Sequence, residues 1–201
     1  HAWEFARRPI DVMALADFWQ QNGRIGTLTE LIEFDLVRNL RERRPRTGDP
    51  LTDGDARLGA EALAAGVIFC GEPSIKVSDA NLGGAGLDGR LCLPASFTRD
   101  QFDSLLVRPV FDGASFGRVR FHHRRVREYL AASWVNKRMA AGCSLDELDG
   151  LFFDRIGGRR VLRSSRGAVA AWLCAGGEAW NAAIRRWLLE AAPSLNLRYG
   201  D

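Results

Sequence analysis

The residues best placed to do chemistry in this chain are His123 and the two arginines that follow it, Arg124 and Arg125. Phe121 and His123 alternate with polar neighbours, which is typical of a short, half-buried strand. From Val126 onward the apolar residues follow a helical period, so the histidine and the arginines lie at a predicted helix N-terminus. Free backbone N–H groups and the helix dipole favour an anion such as phosphate at that position. A packed, hydrogen-bonded histidine is the alternative interpretation.

The other reactive residues do not form a catalytic or metal-binding pattern. The side chains that could act as nucleophiles have no base placed beside them: Ser164, Ser165 and Cys174. Besides His1, the chain has His122 and His123, which do not make a pair suited to metal binding. The Gly-x-x-x-x-Gly-Lys-[Ser/Thr] phosphate loop is absent, and the glycine-rich stretch 81–90 predicts a flexible loop instead. We therefore expect no catalytic residue, no metal ligand and no nucleotide hydrolysis by this chain alone.

The composition is ordinary for a globular protein. Of 201 residues, 46% are hydrophobic and 26% are charged, and the formal net charge of +3 is too small to indicate nucleic-acid binding. The four cysteines lack metal-ligand spacing, which favours free thiols in the cytoplasm. No run of about 18 apolar residues predicts a membrane span. Because the chain begins at His1 rather than at a methionine, we expect it to be a segment of a longer protein.

Apolar periodicity and helix caps define the elements of the first part of the chain. They predict helices over residues 10–20, 29–43, 52–69 and 98–106. The expected buried positions are Val12, Leu15, Ala16 and Trp19 in the first helix, Leu31, Ile32, Leu36 and Leu40 in the second, and Leu58, Ala62, Leu63 and Val67 in the third. Thr52 is a predicted N-cap, and Thr98 begins a capping box. A strand over 74–78 and a hairpin joining 110–111 to 119–121 complete the pattern of a winged helix-turn-helix.

The remainder of the chain is predicted to be helical. One helix is expected over 123–141, where Gly142 ends it, and a capping box at Ser144 begins the next. Further helices are expected over 167–173 and 178–189. The predicted fold class is therefore mainly α, a winged helix-turn-helix with a small β-hairpin, followed by a helical domain that resembles the start of a helical-repeat array.

The stretch around His123 also resembles a known family signature. It is similar to the F-x-H-x-x-x-x-E-[YF]-x-A-A pattern in the winged-helix part of NACHT-type STAND NTPases, the family of animal NOD-like receptors and bacterial defence proteins. The matching residues are Phe121, His123, Glu128, Tyr129, Ala131 and Ala132. The chain departs from the pattern at Val126, where many members carry an aromatic residue, and at Arg127, where many carry glutamine.

The resemblance implies a division of the chain and two nucleotide contacts. Residues 1–22 would end a helical lid, residues 23–122 would form the winged helix, and residues 123–201 would form a helical domain. His123 would approach the terminal phosphate of bound ADP, and Pro9 would pack near the base. The implied cofactors are ADP and ATP, with Mg²⁺ held by a nucleotide-binding domain upstream.

The resemblance also implies a function for the parent protein. The segment would be the regulatory part of an ATPase switch, plausible in bacterial antiphage defence, in which the bound nucleotide controls assembly into a homo-oligomer. Its partners would be the upstream nucleotide-binding domain and downstream helical repeats of the same chain. Neither nucleic acid nor a membrane is expected as a partner.

Two other functions fit the same elements. A DNA-binding winged-helix regulator would need a recognition helix with several exposed basic or amide side chains. The candidate helix over 99–105 is acidic on balance, which argues against docking in a major groove. A helical scaffold that contacts other proteins is the third interpretation.

Overall fold

The computed structural model describes residues 9–41, 50–77, 86–114 and 117–192. These residues are mainly helical, as the sequence predicts. The helices are α1 (Pro9–Asn22), α2 (Leu28–Leu40), α3 (Asp53–Phe69), α4 (Arg99–Leu106), α5 (Arg124–Ala140), α6 (Leu145–Phe152), α7 (Gly167–Ala175) and α8 (Asn181–Ala191). The strands are β1 (Ile75–Lys76), β2 (Phe111–Ala114), β3 (Arg118–Phe121), β4 (Phe153–Ile156) and β5 (Arg159–Leu162). Short 3-10 turns lie at Gly89–Cys92 and Ser164–Arg166.

Hydroxyl side chains begin four of these helices. The caps are Thr27 for α2, Thr52 for α3, Thr98 for α4 and Ser144 for α6, and each accepts a hydrogen bond from a first-turn backbone N–H. The predicted caps at Thr52, Thr98 and Ser144 are thereby confirmed. Such a cap stabilises a helix by about 1 kcal/mol because it satisfies an N–H group that has no partner within the helix.

A three-stranded antiparallel sheet precedes α5. Its strand order is β1-β3-β2, and Phe111 faces Phe121 with ring centroids 4.7 Å apart, which confirms the predicted hairpin. The predicted strand over 74–78 is β1. The end of the glycine-rich stretch is not the flexible loop predicted for 81–90, because Leu87 bridges to Ile75 and a 3-10 turn follows. Residues 81–85 lie outside the described ranges.

Helices α3 and α5 form the centre of the core. Leu63 from α3 and Leu130 from α5 are fully buried, and burial of such a side chain contributes about 2 kcal/mol. The same hydrophobic cluster extends from Ile32 in α2 to Leu188 in α8. The predicted winged helix and the predicted helical domain therefore contribute to one core, and the domain boundaries at 22 and 122 remain predictions.

The prediction of which apolar residues are buried is correct for α2, wrong for α1 and wrong at one position of α3. All four expected residues of α2 are buried. In α1, by contrast, Val12 is 43% exposed and Trp19 is 52% exposed, so the predicted inward face of this helix is wrong. Phe18 enters the core instead and packs edge-on against Phe34, with ring centroids 5.4 Å apart. In α3, Leu58 is likewise exposed rather than buried.

A second hairpin corrects the expectation that the remainder of the chain is helical. Strands β4 and β5 pair antiparallel from Phe153 opposite Leu162 to Ile156 opposite Arg159. Gly157 and Gly158 form the turn with φ of +56° and +76°. Two consecutive residues with positive φ are the requirement of a type I′ turn, which glycine meets without strain. The helices predicted over 167–173 and 178–189 are present as α7 and α8.

Candidate functional site

The hairpin β2–β3 determines where His123 lies. Phe121 ends β3 in the core, and the backbone N–H of His122 donates to the carbonyl of Val110 at 2.9 Å. His123 follows in an extended conformation, with φ −124° and ψ +126°, and is the N-cap residue of α5. Its carbonyl accepts the first helical hydrogen bond from Arg127 at 3.1 Å. The histidine is therefore fixed between a strand and a helix, as the sequence predicts.

The N-terminus of α5 differs from the capped helix starts. The imidazole of His123 is half-buried, its Nδ1 is shielded from solvent, and it makes no capping hydrogen bond to the first turn of α5. The first turn, 124–127, contains no acidic residue. Because backbone N–H groups at a helix start carry partial positive charge, this end of α5 suits an anion.

Charges next to this helix start strengthen the same preference. The Glu128 carboxylate, the nearest acid along the helix, is buried and accepts a hydrogen bond from Arg124 Nε at 2.6 Å. The pair joins residues one turn apart on α5. Arg127 is half-buried, and its burial lowers the pKa of the guanidinium, with Arg124 acting in the same direction. An anion beside Arg127 would offset part of that desolvation cost.

The neighbouring histidine has a different environment. His122 is exposed, and its Nδ1 lies 2.7 Å from Asp112 Oδ2 on the paired strand β2. His122 is thus the more exposed of the two consecutive histidines. His122 is therefore a natural control for any role assigned to His123.

Pro9 cannot be compared with its predicted role. It is the first residue of α1, the position at which a proline is best tolerated in a helix. Its side chain lies outside the part of the chain whose side chains are described. Contact between Pro9 and a nucleotide base remains a prediction.

Sequence reasoning missed a polar network that holds α5 against α2 and α3. The members of this Glu61 network are Glu33, Arg57, Glu61, Tyr129, Ser133 and Lys137. Glu61 is fully buried at the centre of α3. Its carboxylate accepts hydrogen bonds from Arg57 Nε and from Ser133 Oγ, both at 2.8 Å. The other carboxylate oxygen lies 2.7 Å from Lys137 Nζ.

The network continues from Arg57 toward the surface. The two terminal nitrogens of Arg57 donate to the two carboxylate oxygens of Glu33, each at 2.8 Å. The Tyr129 hydroxyl donates to the same carboxylate, and the Arg57 guanidinium lies 5.8 Å from the centre of the Tyr129 ring. Trp172 of α7 packs edge-on against that ring at 5.2 Å. Tyr129, one of the signature residues, thus connects α2, α3, α5 and α7.

The network changes the ionisation of its members in a consistent way. Burial alone would raise the pKa of Glu33, but hydrogen bonds from Arg57 and Tyr129 outweigh it and hold this pKa below its usual value. Burial alone would lower the pKa of Arg57, yet its bonds to Glu33 and Glu61 raise it. Burial, together with the bond to Glu33, raises the pKa of Tyr129 to about 12. All three shifts favour the charge states that the hydrogen bonds require.

The signal for this network was weak in the sequence. Glu61 stands between two alanines on the most buried helix of the chain, which is unusual for a carboxylate. Its partners on other helices lie far away along the chain, so only the folded structure brings them together. The network sets the position of α5 and, with it, the position of His123.

The exposed side of α4 bears on DNA recognition. Phe102, Leu105 and Leu106 face the core. The exposed side carries Asp100 and an ion pair between Arg99 and Asp103 at 3.8 Å. An acidic face would repel the phosphates that flank a major groove.

Comparison of the chain with protein-family models, with curated proteins and with solved structures gives no match. In the described ranges, none of the helices has the length and apolar character needed to span a membrane. The same residues contain no group of three or more histidine, cysteine or acidic side chains arranged to hold a metal ion.

Proposed function

We propose that this chain is the regulatory segment of a NACHT-type STAND ATPase, in which a winged helix senses bound ADP or ATP and controls oligomerisation. The observation that carries the proposal is the placement of His123. It begins α5 without capping it, at a helix start that has no acid in its first turn and has a half-buried arginine within one turn. A terminal phosphate of ADP is an anion of the charge and size that such a helix start binds.

The positions of the other signature residues support the proposal. Phe121 anchors β3 in the core, Ala131 and Ala132 are buried where α5 packs, and Tyr129 enters the Glu61 network. These four matched residues therefore pack or form hydrogen bonds within β3 and α5, the two elements that flank His123. A change of contact at His123 would be passed to α2, α3 and α7 through the elements that pack on α5.

The arrangement of elements also fits a winged helix. Helix α3, strand β1 and helix α4 are followed by the hairpin β2–β3, and β3 lies between β1 and β2 in the sheet. In this interpretation the hairpin is the wing. The acidic face of α4 then favours a protein-regulatory winged helix over a DNA-binding one, and the DNA-binding alternative predicts salt-dependent duplex binding by this chain.

The first test uses the intact parent protein and two neighbouring histidines. His123→Ala should lose the purified protein's bound ADP and should activate the switch without its trigger, since the phosphate contact is removed. His122→Ala is the matched control, because it changes the adjacent histidine on the exposed side, and it should retain ADP. Nucleotide content measured by chromatography after denaturation reports the result. Equal ADP retention in both variants would contradict the proposal.

The second test uses this chain and pyrophosphate as a probe. Titration followed by ¹H–¹⁵N NMR should move the backbone amides of residues 124–127 most, because those N–H groups face the anion. His123→Ala should weaken binding by about tenfold, the effect of losing one charge-assisted hydrogen bond. Shifts centred elsewhere, or unchanged affinity in the variant, would exclude His123 as a phosphate ligand.

A further inference from the structure

Two of the four cysteines lie close together, away from the α5 site. Cys70 directly follows α3, is exposed, and donates its backbone N–H to the carbonyl of Gly66 at 2.9 Å. Cys92 ends the 3-10 turn Gly89–Cys92 and is half-buried. The structure records both as free thiols.

The 3-10 turn is seated directly on α3. A Cβ atom added at Gly66 would lie 2.5 Å from Cys92 Sγ, so the thiol occupies the space where a side chain of α3 would otherwise stand. A Cβ added at Gly89 would lie 2.8 Å from Leu63 Cδ2 and from Ile75 Cγ2. The two glycines thus allow an approach close enough to place Cys92 on the surface of the helix.

Helix geometry brings Cys70 toward the same point. Residues four apart on a helix are neighbours, with Cβ atoms about 5–6 Å apart, and each Cα–Cβ bond leans toward the helix N-terminus. The Cys70 side chain therefore leans back over Gly66, where Cys92 Sγ lies. Cys70 also helps to raise the pKa of the Cys92 thiol, which is consistent with this placement. A disulfide spans a Cα separation of about 4.4–6.8 Å, and this is the separation that Cys70 and Cys92 must reach for the bond to form.

A buried cation lies next to Cys70. Arg166 is buried, with an exposed fraction of 3%. Its Nη2 donates to the carbonyl of Phe69 at 2.6 Å, and its guanidinium lies 5.6 Å from the Phe69 ring centre. The end of α3 that carries Cys70 is therefore held by a buried arginine.

We infer that Cys70 and Cys92 are a peroxide-sensitive dithiol pair that closes into a disulfide. Exposed Cys70 attacks hydrogen peroxide, so that an S–O bond forms, the O–O bond breaks, and one water leaves. Cys92 then attacks the Cys70 sulfenic acid, so that the S–S bond forms, the S–O bond breaks, and a second water leaves. Two thiols lose two electrons and two protons in total, and one peroxide is reduced to two waters.

The chemistry of each thiol is consistent with this order. Burial raises the pKa of Cys92, with Cys70 and Asp88 adding to the effect, so Cys92 is the poorer first nucleophile. The product would tie the 3-10 turn to the end of α3. A dithiol reductant would restore the free thiols.

The test is peroxide treatment of the folded chain, followed by blocking of free thiols and non-reducing peptide mass spectrometry. We expect one crosslinked pair of peptides, which contain Cys70 and Cys92, and retention of two of the four thiols. Closure should be at least about tenfold faster in the folded chain than in urea, because folding raises the effective concentration of one thiol at the other. Equal rates, no disulfide, or crosslinks through Cys143 or Cys174 would overturn the inference.

Single variants separate the two roles. Cys92→Ser should stop the reaction at a sulfenic acid on Cys70, which dimedone traps, whereas Cys70→Ser should leave Cys92 unmodified. Cys143→Ser is the matched control and should form the same disulfide as the unaltered chain. Dimedone labelling of Cys92 in the Cys70→Ser variant at the rate seen for Cys70 would reject the assignment of roles. Circular dichroism of each variant establishes that the comparison is between folded chains.

Discussion

Helix α5 carries two polar regions that are built in opposite ways. In the Glu61 network, Arg57 and Lys137 meet the carboxylates of Glu61 and Glu33, so the charges are balanced within the protein. At the N-terminus, His123 makes no capping hydrogen bond and the first turn has no acidic side chain, so the backbone N–H groups of this helix start favour an anion. The first region links α5 to neighbouring helices, whereas the second is the one that binds a phosphate in the proposed function.

The largest expected effect comes from breaking the balanced region. Arg57→Leu leaves the fully buried Glu61 without one of its two cationic partners, and removal of one member of a buried ion pair costs about 3–5 kcal/mol. Urea unfolding followed by circular dichroism measures this loss. The double variant Arg57→Leu/Glu61→Leu should be more stable than Arg57→Leu alone, because it removes the stranded charge as well.

A matched control for that prediction is an exposed ion pair. Arg155 lies 3.0 Å from Asp149 and is largely solvent-exposed. Arg155→Leu should cost less than about 1 kcal/mol, as exposed ion pairs usually do. A loss as large as that of Arg57→Leu would show that the Glu61 network contributes no more to the free energy of unfolding than an exposed ion pair does.

The second prediction uses pH to examine the same region. The pKa of Tyr129 is raised to about 12 in the folded chain, above its ordinary value near 10. The corresponding stability is fully present below pH of about 10 and is lost as the pH rises through about 12, on the order of 1 kcal/mol after screening. Tyr129→Phe should unfold more easily at neutral pH, and the difference from the unaltered chain should shrink across that window. A constant difference would show that the hydroxyl does not titrate with folding.

The third prediction contrasts a helix start that has a cap with one that lacks it. Ser144→Ala removes the cap of α6 and should cost about 1 kcal/mol. His123→Ser introduces a hydroxyl cap at α5 and should stabilise the chain by about 0.5 kcal/mol, while it weakens pyrophosphate binding. Thermal unfolding and the NMR titration measure the two effects. Lower stability for His123→Ser would mean that the histidine serves packing rather than an anion.

The parts of the fold that could be predicted depend on local signals. The caps at Thr52, Thr98 and Ser144, and the hairpin that precedes His123, are encoded within a few residues of each feature. The Gly157–Gly158 turn was encoded in the same way, and the sequence interpretation missed it because the surrounding helices suggested a continuous helical region.

The remaining features depend on contacts between distant residues. Whether Phe18 or Trp19 faces inward is decided by Phe34 on the next helix and by Gly26, where a Cβ would lie 2.7 Å from the Phe18 ring. Burial of Glu61 likewise depends on Ser133 and Lys137, which no local pattern links to it. The candidate site was found from sequence because His123 lies at a local junction, and the network that positions it was not.

The Glu61 network has a consequence for how this chain can diverge. Because each member satisfies another, a single replacement passes through a less stable intermediate, whereas a joint replacement by apolar residues avoids it. Relatives should therefore keep Glu33, Arg57, Glu61 and Tyr129 together or lose them together. Joint retention or joint loss of these four residues would then help to identify distant relatives whose sequences are otherwise dissimilar.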